Sequence, residues 1–241
     1  MMFHPQGPTF WELAIQALSS TEKGYDLLAP KFDYTPFRTP DHIFERVTTH
    51  LAPLGPFNSA LDVCCGTGAA MRMLRPLCRQ RVVGLDRSAG MLAVARLRTA
   101  DAPGNTTLGF VRADALAMPF WGAFDIAVCF GALGHILPRH QARFLGQVAA
   151  ALRPGGRFVF VASRRPPLWS PTYWLARAFN GAMHVRNLLI SPPFIMYYLI
   201  FNLPGAQMLL EKQGFDVEVR DADFKKPWTP LRLVIATRRS P

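Results

Sequence analysis

From Ser59 onward, short apolar runs alternate with amphipathic stretches, the pattern of a parallel sheet wrapped by helices. Ser59–Cys64 predicts a strand that ends at glycines, and Arg81–Asp86 (RVVGLD) a second that ends in an acid. Thr107–Arg112 and Phe124–Phe130 (FDIAVCF) read as the third and fourth. Helical patterns lie between them. Ala69–Arg79 is one; Ala89–Thr99 is another, with Ser88 as its N-cap and Met91, Leu92, Ala95 and Leu97 near one face. A helix from about Arg139 to Leu152 runs into Arg153-Pro154-Gly155-Gly156, a stop signal. Arg157–Ser163 (RFVFVAS) is then a continuous apolar run of the kind buried on both faces of a sheet.

Two features break this alternation. After a helix at about Pro204–Gln213, the strands Phe215–Arg220 and Leu231–Thr237 follow with no helix between them, which predicts an antiparallel pair at the end of the sheet. Between Arg164 and Gly205 lies an insertion with no Asp, Glu or Lys but with four arginines and eight aromatic residues. That composition does not suit a solvated loop, so a lid of short helices packed on the sheet is expected. It also fits contact with a lipid-like substrate or an anionic membrane surface, with Arg164, Arg165, Arg177 and Arg186 facing headgroups. A membrane span is excluded there: Pro192 and Pro193 leave only Phe194–Leu203 uninterrupted, well short of the roughly 20 residues a bilayer needs. The chain thus reads as one domain: a helical cap (1–57), a core (58–163), the lid (164–205), and a terminal helix and strand pair (206–241).

Composition supports this and adds a charge. A chain of 241 residues, half apolar and 18% charged, buries one substantial core. The excess of 27 Lys+Arg over 16 Asp+Glu gives +11, which favours anionic partners or simply a soluble basic surface. MMFHPQGPTFWELAIQ has no cationic flank followed by a long apolar run, so it does not read as a secretory signal and a cytoplasmic protein is expected. Cys64, Cys65, Cys78 and Cys129 lack zinc or C-x-x-C spacing and read as structural thiols.

The chemistry concentrates in LDVCCGTGAA (Leu61–Ala70). Gly66 and Gly68 follow the first strand and precede a helix, so the chain turns tightly there and its backbone can approach a ligand. Asp86, twenty residues after Gly66, ends the second strand where an acid accepts hydrogen bonds from ribose hydroxyls. Taken singly, Gly68 also fits a plain turn and Asp86 a cap of the next helix. Met71 stands where the dinucleotide fingerprint requires a third glycine, and there is no P-loop lysine. A nucleoside cofactor without a pyrophosphate is therefore favoured, and S-adenosyl-L-methionine is the obvious one.

LDVCCGTG, VVGLDRSAGML, VRADALAMPF, FDIAVCFGALGHI and LRPGGRFVFVA occur in the order of the core motifs of the class I S-adenosylmethionine-dependent methyltransferases, which the sequence resembles from about Asn58 onward. The resemblance implies a Rossmann-like, doubly wound α/β fold. It also implies that Asp62, Gly66 and Gly68 hold the methionine part of the cofactor, that Asp86 binds the ribose, and that Asp114 with Ala115 faces the adenine. Phe130 would lie near the sulfonium, and Arg87 and Met91 belong to the second motif. Cys64 departs from the family, which commonly has glycine there; its side chain must point into the sheet or crowd the cofactor. KGYDLLAPKFDYTP (Lys23–Pro36) looks like the tyrosine-bearing entry segment of the quinone and small-molecule branch, which makes Tyr25 and Tyr34 candidates for closing the site. Ordinary amphipathic packing explains the same segment.

Methyl transfer is an in-line displacement, so positioning and exclusion of water can supply much of the catalysis. A phenolic or similarly weak acid as acceptor would give His135, His184 or Tyr25 a proton-handling role. His135 also fits a helix start or the core. The acceptor implied is a small hydrophobic, aromatic or lipid-like molecule. The charge motivates a nucleic-acid methyltransferase as the alternative, against which stand the dispersed basic residues and the FGALG ending of the fourth strand. A cofactor-binding regulatory protein without methyl transfer is the other alternative. No metal is implied, and the sequence assigns neither the acceptor atom nor an oligomeric state.

Overall fold

In the computed structural model, which describes residues 4–240, the predicted strands are β1 (Phe57–Val63), β2 (Cys78–Asp86), β3 (Thr107–Arg112), β4 (Phe124–Cys129), β5 (Leu152–Ser163), β6 (Phe215–Arg220) and β7 (Leu231–Arg238). Residues 1–3 of the expected cap and residue 241 lie outside the described residues. The strands form one sheet of order β3-β2-β1-β4-β5-β7-β6. Its first five strands are parallel; β7 enters antiparallel between β5 and β6. Parallel neighbours need a crossover, supplied here by α4 (Ala69–Leu74), α5 (Ala89–Thr99) and α6 (Pro138–Ala151).

Strand alternation builds two cores. Ile126 and Val128 of β4 face a cluster with Ile43, Val47 and Leu51 of α3 (Asp41–Leu51) and with Met71 and Leu74 of α4. Ala127 and Cys129 face the opposite cluster, with Phe144, Leu145 and Val148 of α6 and Ala206 and Leu210 of α8 (Leu203–Lys212). Phe144 and Phe158 are fully buried, each contributing about 1.5–3 kcal/mol of apolar transfer. The chain therefore has the predicted Rossmann-like architecture, covered on both faces.

Three boundaries differ from the sequence expectation. α4 stops at Leu74 and a 3₁₀ turn spans Arg75–Leu77, because Pro76 lacks the N–H that an α-helix needs and crowds the preceding turn. The Arg153–Gly156 stop signal is part of β5: Phe124 pairs with Leu152 and Ile126 with Arg157, so the extra residues bulge instead of ending the ladder. The lid is dominated by one 19-residue helix, α7 (Pro171–Leu189), in place of short helices.

Two further helices, α1 (Phe10–Leu18) and α2 (Thr21–Leu28), precede α3. A capping box starts α1, with Thr9 bonded to the Glu12 N–H and Glu12 to the Thr9 N–H. Arg186 of α7 holds this cap to the lid. Its guanidinium donates to the carbonyl oxygens of Ala17 (2.8 Å), Ser19 (2.7 Å) and Pro192 (2.8 Å) and also reaches Ile190 and Asn187. That side chain is a backbone staple, and not the outward-facing cation expected from composition.

Candidate active site

β1 lies between β2 and β4, so the order of strands reverses at β1 and opens a crevice at its carboxyl end. The glycine loop lines that crevice. Three of its residues, Cys64 (φ 58°), Gly66 (φ 52°) and Gly68 (φ 86°), are left-handed. The two glycines do different things. A Cβ on Gly66 would meet nothing within 4 Å, so the loop leaves open space there. A Cβ on Gly68 would lie 2.8 Å from Cγ2 of Thr99 and 3.3 Å from Cβ of Ala95, so Gly68 allows α4 to pack against α5.

Cys64 is a non-glycine residue in a conformation that costs most L-residues about 1–2 kcal/mol. Its side chain takes the first of the two directions the sequence allowed: it packs with the Cys129 side of the sheet, while Cys65 joins the cluster on the other face. A hydrogen bond with Cys129, then burial, pushes the Cys64 thiol well above its ordinary value. All four cysteines are free thiols, and among the described residues no cluster of side chains could hold a metal ion.

Two carboxylates flank the loop. One oxygen of Asp86 accepts the Gly66 N–H (2.9 Å) and the other the Ser88 N–H (2.9 Å). The two sequence readings of Asp86 are thus compatible: it shapes the turn and the start of α5, and each oxygen keeps capacity for a further donor. Burial raises its carboxyl above the ordinary value, against the pull of those N–H groups. Asp62 is buried, and its Oδ2 has no hydrogen-bond partner. Desolvation, then the nearby Asp86, raises its carboxyl well above the ordinary range.

The remaining cofactor candidates follow the carboxyl ends of β2, β3 and β4. Met91 is buried at the start of α5, its N–H capped by the Ser88 hydroxyl at 3.0 Å. Asp114 accepts the Leu116 N–H and lies 3.7 Å from Arg87, while Ala115 is buried beside it. Phe130, after β4, meets Phe44 edge-on with centroids 5.4 Å apart.

Tyr25 and His135 come together from positions 110 residues apart, with Tyr25 Oη 2.9 Å from His135 Nε2. The carbonyl oxygen of Ile195 lies at Nδ1 and can only accept, so Nδ1 carries the proton and Nε2 accepts the Tyr25 O–H. Burial lowers the imidazole below its ordinary value, and burial raises the Tyr25 phenol, with the Asp86 charge adding to it. Phe194 stacks on Tyr25 at 6.1 Å. The other two candidates lie elsewhere: Tyr34 stacks on His4, and His184 is an exposed residue of α7 beside Tyr197.

Acids that the sequence reading passed over fix the entry segment. Asp26 Oδ1 accepts from the Ser88 hydroxyl and from the Gly90 N–H (2.8 Å), and Asp33 accepts the Thr67 hydroxyl at 2.6 Å. Glu22 receives Arg87 (2.9 Å) and Arg112 (2.8 Å). These acids therefore pin the segment to the carboxyl ends of β1, β2 and β3. Asp26 and Asp33 sit in the same stretch as Tyr25 and Tyr34, more than thirty residues before Gly66 and Gly68, so no local signal marks them.

Comparison with known proteins agrees with the fold. A methyltransferase domain family model matches residues 60–156. A 2-phytyl-1,4-naphtoquinone methyltransferase of Thermosynechococcus vestitus is 35% identical over 128 residues, 52% of this chain and 55% of that protein. A demethylmenaquinone methyltransferase of Staphylococcus aureus is 31% identical over 178 residues, covering 68% of this chain and 70% of that one. The chain belongs to the class I S-adenosylmethionine-dependent methyltransferases. Within this family it groups with the branch whose curated members are named for quinones. It spans about half the length of some of them, 48% for the demethylmenaquinone methyltransferase of Thermus thermophilus. The N-methyltransferase NodS of Bradyrhizobium japonicum, in complex with S-adenosyl-L-homocysteine, shares the methyltransferase fold with a TM-score of 0.67 at 15% identity, over 92% of this chain and all of that one. Among the described residues, no helix of the chain is long and apolar enough to cross a membrane.

Proposed function

We propose that this protein transfers the methyl group of S-adenosyl-L-methionine to a small hydrophobic aromatic acceptor of the quinol or phenol class. The observation that carries this reading is the Tyr25–His135 hydrogen bond, set among Phe194 and other aromatic side chains and beside an open glycine cradle. The cradle fits the cofactor: the unpartnered oxygen of buried Asp62 suits an ammonium group, and the space over Gly66 admits a close ligand. Asp86 would hold the ribose, Asp114 and Ala115 the adenine side, and Phe130 the region of the reacting methyl. Residues 58–163 would thus hold the cofactor, while the cap and the lid close over it. The quinone names of the relatives support the acceptor class.

When bound, S-adenosyl-L-methionine supplies a methyl group made electrophilic by the adjacent sulfonium. The residues of this chain position the acceptor, exclude water and handle one proton. An acceptor hydroxyl that replaces Tyr25 at Nε2 of His135 meets a neutral imidazole, fixed in orientation by the Ile195 carbonyl. As the acceptor oxygen or ring carbon gains the methyl, Nε2 takes the proton it loses and imidazolium forms. Tyr25, with its raised phenol, remains protonated and acts as a donor.

A nucleic-acid acceptor is not favoured. Arginines pair with acids on many faces, as in Arg46–Asp223, Arg72–Asp101, Arg153–Asp125 and Arg239–Asp216, and form no single basic stripe. The test is incubation of the protein with methyl-labelled S-adenosyl-L-methionine and reduced naphthoquinones or benzoquinones in detergent. Label in the lipophilic product, lost in His135→Ala, supports the reading. S-adenosylhomocysteine binding without transfer to any quinol, phenol or lipid would establish a cofactor-binding protein of another kind.

A further inference from the structure

α7 is amphipathic in the unusual sense. Its inward side carries Ala176 and Asn180, both buried, and the Arg186 staple. Its outward side, at alternating spacings of three and four, is Leu175, Ala178, Ala182, Val185 and Leu189, every one exposed. Spacing of that kind keeps one continuous stripe on the helix. Trp169 (86% exposed), Trp174 and Leu188 (85% exposed) flank it. On α1, Trp11, Ile15 and Leu18 form a second exposed stripe at the same spacing, with Phe10 beside it. The two helices are tied to each other where Arg186 donates to the carbonyl oxygens of Ala17 and Ser19. Scattered exposed leucines are ordinary; two apolar stripes on helices tied to each other, with three tryptophans, are an interaction surface.

Charge selects the occupant. Arg164, Arg165 and Arg177 are exposed and, among the described residues, make no salt bridge. Residues 164–205 contain no acid, and Glu12 of α1 is taken by Lys31 at 2.7 Å. A second copy of the chain laid on this face would bring arginines to arginines with nothing to neutralise them. A bilayer containing anionic lipid complements both features, with tryptophans suited to its interface.

We infer that α1 and α7 form a docking surface for anionic membranes, through which the acceptor reaches the site from the lipid phase. This deepens the proposed function by giving the source of the acceptor. The same helix supports the route: beneath α7, a cavity of about 290 Å³ is lined by Arg177, Gly181 and His184 on one side and by Leu137, Pro138 and Tyr197 on the other. The Tyr197 N–H is bonded to the Gly134 carbonyl, next to His135. A face that lies on lipid therefore adjoins a cavity beside the proton-handling pair.

The test is flotation of the full chain with phosphatidylcholine vesicles with and without phosphatidylglycerol, beside light scattering without lipid. Flotation is expected only with the anionic vesicles. It should be lost in Leu175→Glu/Leu189→Glu, and weakened in Arg164→Gln/Arg165→Gln by about fivefold per charge. Calorimetric binding of S-adenosylhomocysteine to these variants reports that they are folded. Absence of flotation, flotation that survives the Leu175/Leu189 change, or a dimer that this change dissolves would each overturn the inference. Methyl transfer to a detergent-solubilised acceptor is read separately, so failure here leaves the proposed function standing, and the reverse.

Discussion

Tyr25 donates its hydroxyl to Nε2 of His135 across 2.9 Å, joining the second helix of the chain to the turn after β4. Burial lowers the His135 imidazole, so it remains neutral and able to take a proton at more acid pH than a free histidine. The acid limb of kcat/KM is expected below pH 6.5 in the wild type and absent in His135→Ala, with kcat down by about 10²–10⁴. Tyr25→Phe leaves the base in place and is expected to keep the limb at reduced kcat. Stability carries the same sign: the contribution of neutral His135 is present above 6.5 and is lost as pH falls through the lowered folded value, which melts against pH would show.

Asp86 touches both the glycine turn and the start of α5. Asp86→Ala is expected to weaken S-adenosylhomocysteine about tenfold to a hundredfold, the ratio for hydrogen bonds to a charged group worth about 1.5–3 kcal/mol. Calorimetry measures it; unchanged affinity would limit Asp86 to shaping the loop.

Gly66 and Gly68 are expected to fail in different assays. Gly66→Ala places a methyl in open space at φ 52°, so binding is lost while stability falls by about 1–2 kcal/mol. Gly68→Ala adds a collision with Thr99 to a similar backbone cost, and is expected to lose about 3 kcal/mol or more. Urea denaturation and calorimetry on both variants separate the two roles.

Asp62 is held at a cost in the ligand-free protein. Its folded carboxyl titrates above the unfolded value, so its burden on stability is absent below the ordinary carboxylate range and grows as pH rises through the folded value. Asp62→Asn is expected to raise Tm at neutral pH by a few degrees, about 2–4 °C per kcal/mol in a chain of this size, with the gain shrinking in acid. Its affinity for S-adenosylhomocysteine is expected to fall. A Tm that does not change with the substitution would show that the buried oxygen is already compensated.

The sheet was legible because its physics is local. FDIAVC and RFVFVAS are apolar on both faces and can only be central strands, and the glycine turn followed by an acid at twenty residues needs no tertiary knowledge. What the sequence concealed depends on partners. α7 carries its apolar stripe on the exposed side and buries Ala176 and Asn180, the reverse of an ordinary packed helix, so its pattern could not announce a single long helix. Arg186 looked like one of four equivalent cations until its carbonyl partners on Ala17 and Ser19 were visible. Asp26 and Asp33 carry no local signal because Ser88 and Thr67, which they hold, lie more than thirty residues away. The pairing of Tyr25 with His135 was invisible for the same reason, although both were individually singled out.

The staple at Arg186 also has a consequence for how the chain is made. Its partner Ala17 precedes it by 169 residues. At roughly 5–20 residues per second, α1 is synthesised about ten to thirty seconds before the side chain that anchors it. During that interval the carbonyl oxygens of Ala17 and Ser19 lack their guanidinium donor, and the seat of α1 on the lid is not fixed. The contact between cap and lid is therefore settled only after β1 to β5 have been synthesised, and the core precedes the closure of the lid.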